Sequence, residues 1–214
     1  MPTARDALLD AALAALATLP WPTVRMVDVA SAAGVSRQTL YNEFGSKDGL
    51  ARALVRRAAD GYLAGVERAL ASAGGTGDRL AATAAWTVRA VRANALVRGL
   101  LTGCWGEWLP RPAHSAVPTA SRVPAQRRAD AGTPTPAELL GQVNRRAVAA
   151  LDEGRPPRDP EILAAICEIA LRLALSYALV PASGEAGAGR EGETAPLVRE
   201  LVERLPADGT PASA

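Results

Sequence analysis

Apolar residues recur at spacings of three and four along nearly the whole chain, and this periodicity predicts an all-α protein. No run of β-branched residues alternates with polar ones as a half-buried strand would, and no period of about 20–50 residues indicates a repeat architecture. With 214 residues, 49% of them hydrophobic, the chain is long enough for a small domain joined to a larger one. The pattern therefore favours packed helices around a buried core.

The charge distribution argues against export and against a membrane span. The longest stretch without Asp, Glu, Lys or Arg covers residues 11–24 and contains two prolines, whereas a membrane helix needs about 18 apolar residues. Asp6 and Asp10 stand where a signal peptide would be apolar. Two cysteines, Cys104 and Cys167, form no disulfide framework and fit a reducing compartment. These features predict a cytoplasmic protein without a membrane partner.

Helix-breaking residues divide the apolar pattern into segments. Six prolines between residues 110 and 136 predict an irregular connection, and a glycine- and glutamate-rich stretch at 183–193 predicts a flexible loop. Between these breaks the pattern predicts helices over 4–19, from 47 to the glycines at 74–77, over 78–101 in one or two pieces, from 136 to about 152, over 161–180 and over 194–205.

The segment 161–180 is the most apolar of these predicted helices. Its only charges, Glu161, Glu168 and Arg172, are spaced by seven and four and form one polar stripe. The last helix also has one apolar face. A single chain covers only one side of each helix, so a second copy is needed to cover the other. The sequence therefore predicts a homodimer whose interface contains Ile162, Ile166, Ile169, Leu173, Tyr177, Leu197, Val198, Leu201 and Leu205.

Residues 26–50 contain two short amphipathic segments joined at a glycine. Val27, Val29, Ala30 and Ala33 supply an apolar face for the first segment. Gly34 ends it, because a residue without Cβ permits the positive φ of a sharp turn. The sequence thus predicts a short helix followed by a tight turn.

The second of these segments has a polar exposed side. We expect Val35 to pack its side chain from the turn into the core and Ser36 to cap the helix with its hydroxyl. Leu40 and Phe44, four residues apart, face inward and anchor the helix. The residues left on the exposed side and N-terminal turn are Arg37, Gln38, Thr39, Tyr41 and Asn42. This arrangement predicts a helix–turn–helix whose second helix enters a DNA major groove.

The exposed side chains have the chemistry that DNA recognition needs. Arg37 can pair with guanine O6 and N7 or with a phosphate, Gln38 can pair with adenine N6 and N7, and Thr39 can touch a thymine methyl group. Candidates for phosphate contacts are Tyr41, Asn42 and Lys47, the last beside a helix N-terminus that favours anions. A surface helix that is merely polar is the alternative interpretation.

This segment resembles the DNA-binding domain of the TetR family of bacterial repressors over about residues 4–57. The matching positions are Asp28-Val29-Ala30, Ala33-Gly34-Val35-Ser36, Thr39-Leu40-Tyr41, Phe44, Ser46-Lys47 and Leu50. The resemblance implies a homodimer with two helix–turn–helix heads, a ligand pocket in each C-terminal domain and a four-helix interface built by the last two helices. It implies phosphate contacts at Tyr41 and Lys47, and base or backbone contacts at Arg37, Gln38 and Thr39.

The domain organisation follows from this resemblance and from the helical pattern. We expect an N-terminal helix–turn–helix DNA-binding domain at 1–54, a larger helical ligand-binding and dimerisation domain at 55–205, and a disordered tail at 206–214.

Two positions depart from the family pattern. Arg25 stands where the family usually has Thr or Ser capping the first helix of the motif, with Thr23 two residues earlier. Either Arg25 supplies a longer-range phosphate contact, or Thr23 caps a shifted helix start. Glu43 either accepts from a cytosine N4 amine or lies solvated on the far side of the helix. The full predicted DNA-contacting set is Arg25, Ser36, Arg37, Gln38, Thr39, Tyr41, Asn42 and Lys47.

Tryptophans concentrate in the middle of the C-terminal region, where they either line an apolar pocket or pack the core. The candidate pocket residues are Tyr62, Trp86, Arg89, Leu100, Leu101, Cys104, Trp105 and Trp108. One of Arg89, Arg92 and Arg98 would meet an acidic head group if the ligand has one. An apolar or amphipathic effector is therefore expected.

Other classes of function find little support in the sequence. The only histidine, His114, lies in the proline-rich segment, so neither a metal site nor a nucleophile–base–orienting constellation is expected. We predict no cofactor and no enzymatic activity. The predicted function is a ligand-responsive transcriptional repressor that leaves its operator DNA when an effector binds, and the alternative is an architectural protein or regulator without a small-molecule ligand.

Overall fold

The computed structural model describes residues 3–111, 132–151, 159–180 and 194–204. The all-α prediction is confirmed: within these ranges the chain forms nine α-helices and one 3₁₀ turn, with no strand. Most of the proline-rich connection, the glycine-rich loop and the tail predicted at 206–214 lie outside the described residues.

The helices follow one another in the order that the sequence pattern predicts, and the region predicted as one or two helices at 78–101 forms two. Their bounds are α1 Ala4–Leu16, α2 Met26–Ala32, α3 Arg37–Phe44, α4 Lys47–Leu70, α5 Thr76–Ala93, α6 Ala95–Thr102, α7 Pro136–Leu151, α8 Pro160–Leu179 and α9 Thr194–Arg204, and the 3₁₀ turn is Trp21–Thr23.

The described residues pack as two units. The first consists of the described residues within 1–60 and 96–135 and contains α1 to α3, the first half of α4 and nearly all of α6. The second consists of the described residues within 61–95 and 136–204 and contains the rest of α4, α5 and α7 to α9. The division falls within α4, after Asp60. The domain boundaries predicted at residues 54 and 205 remain predictions.

The first helix is shorter than its sequence predicts. Thr3 caps it with a hydroxyl that accepts from the Asp6 amide at 3.1 Å. The buried side is formed by Leu8, Leu9 and Ala12, whereas Leu13 is 41% exposed. The helix ends at residue 16 rather than 19, and after it the Ala17 and Thr18 amides donate to the carbonyls three residues back, of Ala14 and Ala15.

The second unit is organised around α5, on which both α8 and α9 pack. Val198 and Val202 of α9 are buried, at 0% and 2% exposure. Arg199 of α9 donates from Nε to Asp78 Oδ1 at 2.6 Å, and this hydrogen bond holds the pKa of the Asp78 carboxyl below its usual range. The last helix is therefore attached to α5 by both apolar and ionic contacts.

One side of α8 is buried within the chain and the other is exposed. The buried side consists of Leu163, Ile166, Cys167, Ala170, Leu171 and Ala174, while Ile169 and Leu179 on other sides are 48% and 49% exposed. By length and composition α8 could cross a membrane, with a mean hydropathy of 1.9. The core helix of a soluble protein passes the same test, so one such helix is weak evidence for a membrane span.

Candidate nucleic-acid interface

The turn between α2 and α3 has the geometry that its glycine predicts. Gly34 has φ +67°, a conformation that glycine adopts without strain. The Gly34 amide donates to the Ser31 carbonyl and the Val35 amide to the Ala30 carbonyl, both at 3.1 Å. These are the paired bonds of a Schellman motif, which satisfies the last carbonyls of a helix while the chain reverses.

The helix α3 begins and is anchored as predicted. The Ser36 hydroxyl accepts from the Thr39 amide at 3.0 Å. Leu40 and Phe44 are buried, at 0% and 2% exposure. In α2 the inward face is narrower than expected: Val29 and Ala30 are buried but Val27 is 48% exposed, because this seven-residue helix presents only part of its surface to its neighbours.

The exposed face of α3 carries its polar side chains in two rows, each joining residues one turn apart. In the first row the Arg37 guanidinium lies 5.3 Å from the centroid of the Tyr41 ring. In the second row Gln38 donates from Nε2 to Asn42 Oδ1 at 2.8 Å. Arg37, Gln38 and Asn42 are exposed, and Thr39 and Tyr41 are half-buried. The face is thus polar, continuous and accessible to a macromolecular partner.

The two hydroxyl groups at the start of α3 are joined to each other. Ser36 Oγ lies 2.8 Å from Thr39 Oγ1, in addition to capping the Thr39 amide. Ser36 therefore fixes the N-terminal turn of α3. Its predicted DNA contact remains a prediction.

Lys47 begins α4 and is half-buried beside the 3₁₀ turn. Its Nζ donates to the Pro22 carbonyl oxygen at 2.9 Å and lies 5.3 Å from the centroid of the Trp21 ring. Burial lowers the pKa of the Lys47 ammonium. An ammonium has three donors, so one bond to a carbonyl leaves the group able to bind a phosphate oxygen as well.

Arg25 occupies the N-cap position of α2 without capping it. Its Nε and Nη2 donate to the two Asp28 carboxylate oxygens at 2.8 and 2.9 Å, and these bonds lower the pKa of Asp28. Thr23 donates from Oγ1 to the Pro20 carbonyl at 2.8 Å and caps no helix. The alternative that Thr23 caps a shifted helix start is therefore wrong, because α2 begins at Met26.

Glu43, for which two roles were open, pairs with Arg5 of α1 while its side chain stays 33% exposed. Its Oε2 lies 3.5 Å from Arg5 Nη1, which also donates to the Glu43 backbone carbonyl at 3.4 Å. The Arg5 guanidinium lies 4.7 Å from the centroid of the Phe44 ring. Arg5 of α1 thus holds the C-terminal end of α3, a contact between residues 38 apart that the sequence did not reveal.

The residues predicted to line a ligand pocket fall into both units. Tyr62, Trp86 and Arg89 belong to the second unit, and Leu100, Leu101, Cys104, Trp105 and Trp108 belong to the first. Leu100 and Leu101 are buried, Trp105 is half-buried against Gly99, and Cys104 and Trp108 are exposed. The pocket remains a prediction.

Tyr62 and Trp86 have satisfied polar groups within the second unit. Thr87 Oγ1 donates to the Thr83 carbonyl at 2.9 Å, so the Tyr62 hydroxyl, 3.0 Å away, is the donor to Thr87 Oγ1. Trp86 donates from Nε1 to the Tyr62 carbonyl at 3.1 Å and packs on Gly65. Burial raises the pKa of Tyr62 to about 12.

A cleft of about 210 Å³ lies between α7 and α8 in the second unit. Residues on its wall include Leu140, Asn144, Glu168, Leu171 and Arg172, and none of these belongs to the predicted pocket. Asn144 Oδ1 is buried without a hydrogen-bond partner, and Glu168 and Arg172 pair at 2.6 Å. No sequence pattern indicates this cleft, because its wall comes from two separate helices.

The residues predicted for the dimer interface differ in burial. Ile166 and Val198 are buried inside the chain, at 1% and 0% exposure. Ile169 and Leu197 are 48% and 41% exposed. Partial exposure is also found at Ile162, Leu173, Tyr177 and Leu201. Leu205 lies outside the described residues.

The described parts of the chain contain no cluster of three His, Cys, Asp or Glu side chains that could hold a metal ion. The two cysteines differ in environment. Cys104 is exposed, whereas Cys167 is buried, and burial raises the pKa of its thiol to about 12.

Comparison with known proteins points to the same region. Residues 8–54 match the family described as bacterial regulatory proteins, tetR family. The HTH-type transcriptional regulator AlkX of Mycobacterium tuberculosis is 48% identical over 66 residues, which cover 31% of this chain and 31% of AlkX. The sequence similarity to this relative is thus confined to under a third of its length.

Solved structures extend the likeness of fold to nearly the whole chain. A transcriptional regulator of the TetR/AcrR family from Thermobifida fusca aligns with a TM-score of 0.53 and 17% identity over 94% of this chain and 96% of that one. AibR, solved in complex with isovaleryl coenzyme A and operator DNA, aligns with a TM-score of 0.51 and 15% identity over 93% and 97% of the two chains. At these identities the likeness shows the shared helical architecture.

Proposed function

We propose that this chain, whose residues 8–54 match the tetR family of bacterial regulatory proteins, is a cytoplasmic repressor that binds operator DNA as a homodimer and leaves it when an effector binds. The observation that carries this proposal is the exposed polar face of α3, held by the Ser36 cap and the Gly34 turn. A helix of this kind fits a major groove and presents its N-terminal residues to base edges.

The proposed DNA contacts divide into two kinds. Arg37, Gln38 and Thr39 lie at the start of α3, where side chains reach base edges. Phosphate contacts are proposed for the more peripheral residues Arg25, Ser36, Tyr41 and Lys47. Arg25 and Lys47 each donate hydrogen bonds within the protein, and each keeps further N–H donors that can reach a phosphate oxygen.

The proposed dimer brings two α3 helices to successive major grooves about 34–36 Å apart. The exposed apolar side chains of α8 and α9, Ile169 and Leu197 foremost, support an interface built from these helices. The dimer has two states that differ in the distance between the recognition helices. An effector that binds these states with different affinity shifts the equilibrium between them. Release of the operator follows from that difference.

We propose an apolar or amphipathic effector. The acyl coenzyme A held by AibR, a protein of similar fold, supports an amphipathic molecule. A regulator without a ligand is the second candidate. It is favoured by the Tyr62 hydroxyl and the Trp86 indole, which both bond to groups inside the chain rather than to an open cavity.

Tryptophan fluorescence and operator release, measured together, distinguish these two functions. The probes are isovaleryl coenzyme A, a long-chain fatty acid and, as a polar control, a monosaccharide. An effector of the proposed class changes the emission and dissociates a fluorescent operator duplex at the same concentration, and it raises the melting temperature. If only the monosaccharide acts, the apolar class is wrong, and if no compound acts, the ligand-free regulator is favoured.

Variants then locate the responding tryptophan. Trp86→Phe, Trp105→Phe and Trp108→Phe each remove one reporter. Trp21→Phe serves as the control, since Trp21 is buried at 8% exposure beside Lys47 and is not one of the predicted pocket residues. Loss of the ligand-induced change in one of the first three variants, with the control unchanged, supports a pocket at that tryptophan. Equal responses in all four variants contradict it.

A further inference from the structure

The Gln38–Asn42 pair on α3 is a hydrogen-bonded unit on the surface proposed to face DNA. Gln38 Nε2 donates to Asn42 Oδ1 at 2.8 Å, and both residues are exposed. Gln38 is the second residue of the helix, and Asn42 lies one turn later on the same row. Residues at the start of a recognition helix reach base edges, so Gln38 is the better placed of the two to touch a base.

The hydrogen bond restricts the Gln38 amide. A free amide group presents its oxygen and nitrogen in either order, since the two ends have nearly the same shape. Donation to Asn42 Oδ1 fixes the nitrogen on the side toward Asn42 and uses one of its two hydrogens. The oxygen and the second hydrogen are then left as an adjacent acceptor and donor.

An adjacent acceptor and donor match one base edge in the major groove. Adenine presents the N6 amine as donor and N7 as acceptor, and a glutamine amide pairs with both. The Asn42 side chain is one methylene shorter than that of Gln38. It can therefore accept the hydrogen bond from Gln38 while the longer Gln38 side chain reaches the base. Ordering a flexible side chain before binding reduces the entropy lost on recognition.

We propose that Asn42 is a positioning residue that orients Gln38 to read an adenine at one base pair of each operator half-site. This inference rests on the proposed binding of operator DNA, and it gives Asn42 a role in specificity where the sequence suggested a phosphate contact. Asn42 acts through Gln38, so its effect is confined to the base pair that Gln38 reads.

The experiment selects the preferred duplex from a random-sequence library with the full-length protein and then measures affinities for all four bases at each half-site position. Gln38→Ala abolishes a preference for adenine at one position, about tenfold or more in the unmutated protein. Asn42→Ala lowers the preference for adenine at that same position by about two- to tenfold. This range corresponds to the entropy lost when one flexible side chain is ordered on binding. Affinity for random DNA stays the same.

Two further variants test whether Asn42 acts through Gln38. Asn42→Asp keeps the acceptor oxygen, so it retains the adenine preference while the added negative charge lowers affinity on all sequences. In the Gln38→Ala background, Asn42→Ala changes the preference at that position no further. Circular dichroism of each variant checks that the helices are intact, which is expected because both side chains are exposed.

The outcomes separate this inference from the proposed function. If the unmutated protein selects no sequence, operator binding itself is wrong. If it selects one but Asn42→Ala leaves the adenine preference intact, or lowers affinity equally on all sequences, the positioning role is overturned. The second result instead identifies Asn42 as a phosphate contact.

Discussion

Lys47 donates a hydrogen bond from Nζ to the backbone carbonyl oxygen of Pro22 at 2.9 Å, which joins the start of α4 to the 3₁₀ turn before α2. The same ammonium lies 5.3 Å from the centroid of the Trp21 ring. Lys47 therefore has two tasks at the proposed DNA surface: it supports the entry to the helix–turn–helix and offers a positive charge beside it.

Lys47→Ala should weaken binding to every DNA sequence about equally. A phosphate contact carries no base preference, and its loss reduces the number of counterions released. The slope of log affinity against log salt should become shallower by about one per protomer. Fluorescence anisotropy with specific and random duplexes over a salt series measures both effects.

Lys47→Arg is the matched control for this charge. It keeps a cation in place and should retain most of the salt dependence. Because Lys47→Ala also removes the bond to Pro22, thermal unfolding is recorded in parallel, with an expected loss of about 1 kcal/mol. An unchanged affinity and salt slope for Lys47→Ala would show that Lys47 serves only the fold.

Asp28→Asn should strengthen DNA binding. In the free protein both oxygens of Asp28 hold the Arg25 guanidinium, at 2.8 and 2.9 Å. Removing that carboxylate charge frees Arg25 for a phosphate and steepens the salt dependence. Asp10→Asn is the matched control, since it removes the same charge from an ion pair with Arg57 on another part of the first unit. Equal gains in the two variants would attribute the effect to net charge alone.

The helix–turn–helix could be predicted residue by residue because its signals are local. Gly34 permits the turn, Ser36 caps the helix, and Leu40 and Phe44 form an apolar pair four residues apart. Each of these roles follows from the neighbouring sequence without knowledge of the rest of the chain. The Arg5–Glu43 contact could not be predicted in this way, because periodicity along a sequence contains no information on which distant side chains meet.

The C-terminal helices show the same limit. Their apolar faces indicate surface that must be covered, but a face does not identify what covers it. Val198 is buried against α5 of its own chain rather than left for a partner. In α1, where alanines surround the leucines, the periodicity does not distinguish Leu9, which is buried, from Leu13, which is 41% exposed.

Thr87→Val should destabilise the fold by about 1–3 kcal/mol, because it leaves the buried Tyr62 hydroxyl without its acceptor. Both side chains are nearly inaccessible, at 1% exposure for Tyr62 and 0% for Thr87. Adding Tyr62→Phe removes the orphaned hydroxyl, so the double variant should be more stable than Thr87→Val alone. Urea unfolding monitored by circular dichroism provides the comparison. A double variant less stable than the single one would contradict this account.

The stability of the protein should fall between about pH 10 and pH 12. Burial raises the pKa of Tyr62 from 10.0 to about 12, so in this range the unfolded chain releases a proton that the folded chain retains. The free energy of unfolding therefore decreases with rising pH, by about 2–3 kcal/mol for this group over the interval. Tyr62→Phe should remove that part of the decline, as urea unfolding at each pH will show. Identical declines in the two proteins would exclude Tyr62 as the source.

Ile169→Glu should convert a dimer to monomers without unfolding them. Ile169 is 48% exposed on α8, so a glutamate there stays solvated in the single chain but would be an unpaired charge in an apolar interface. Light scattering at micromolar concentration should give the mass of two chains for the unmutated protein and of one chain for the variant, with weaker operator binding. Leu13→Glu is the matched control, because Leu13 is 41% exposed on α1 of the first unit and should leave the mass unchanged. Val198→Glu, at a buried position, should instead unfold the second unit. A dimeric Ile169→Glu variant, or a monomeric unmutated protein, would mean that the exposed face of α8 does not join two copies of this chain.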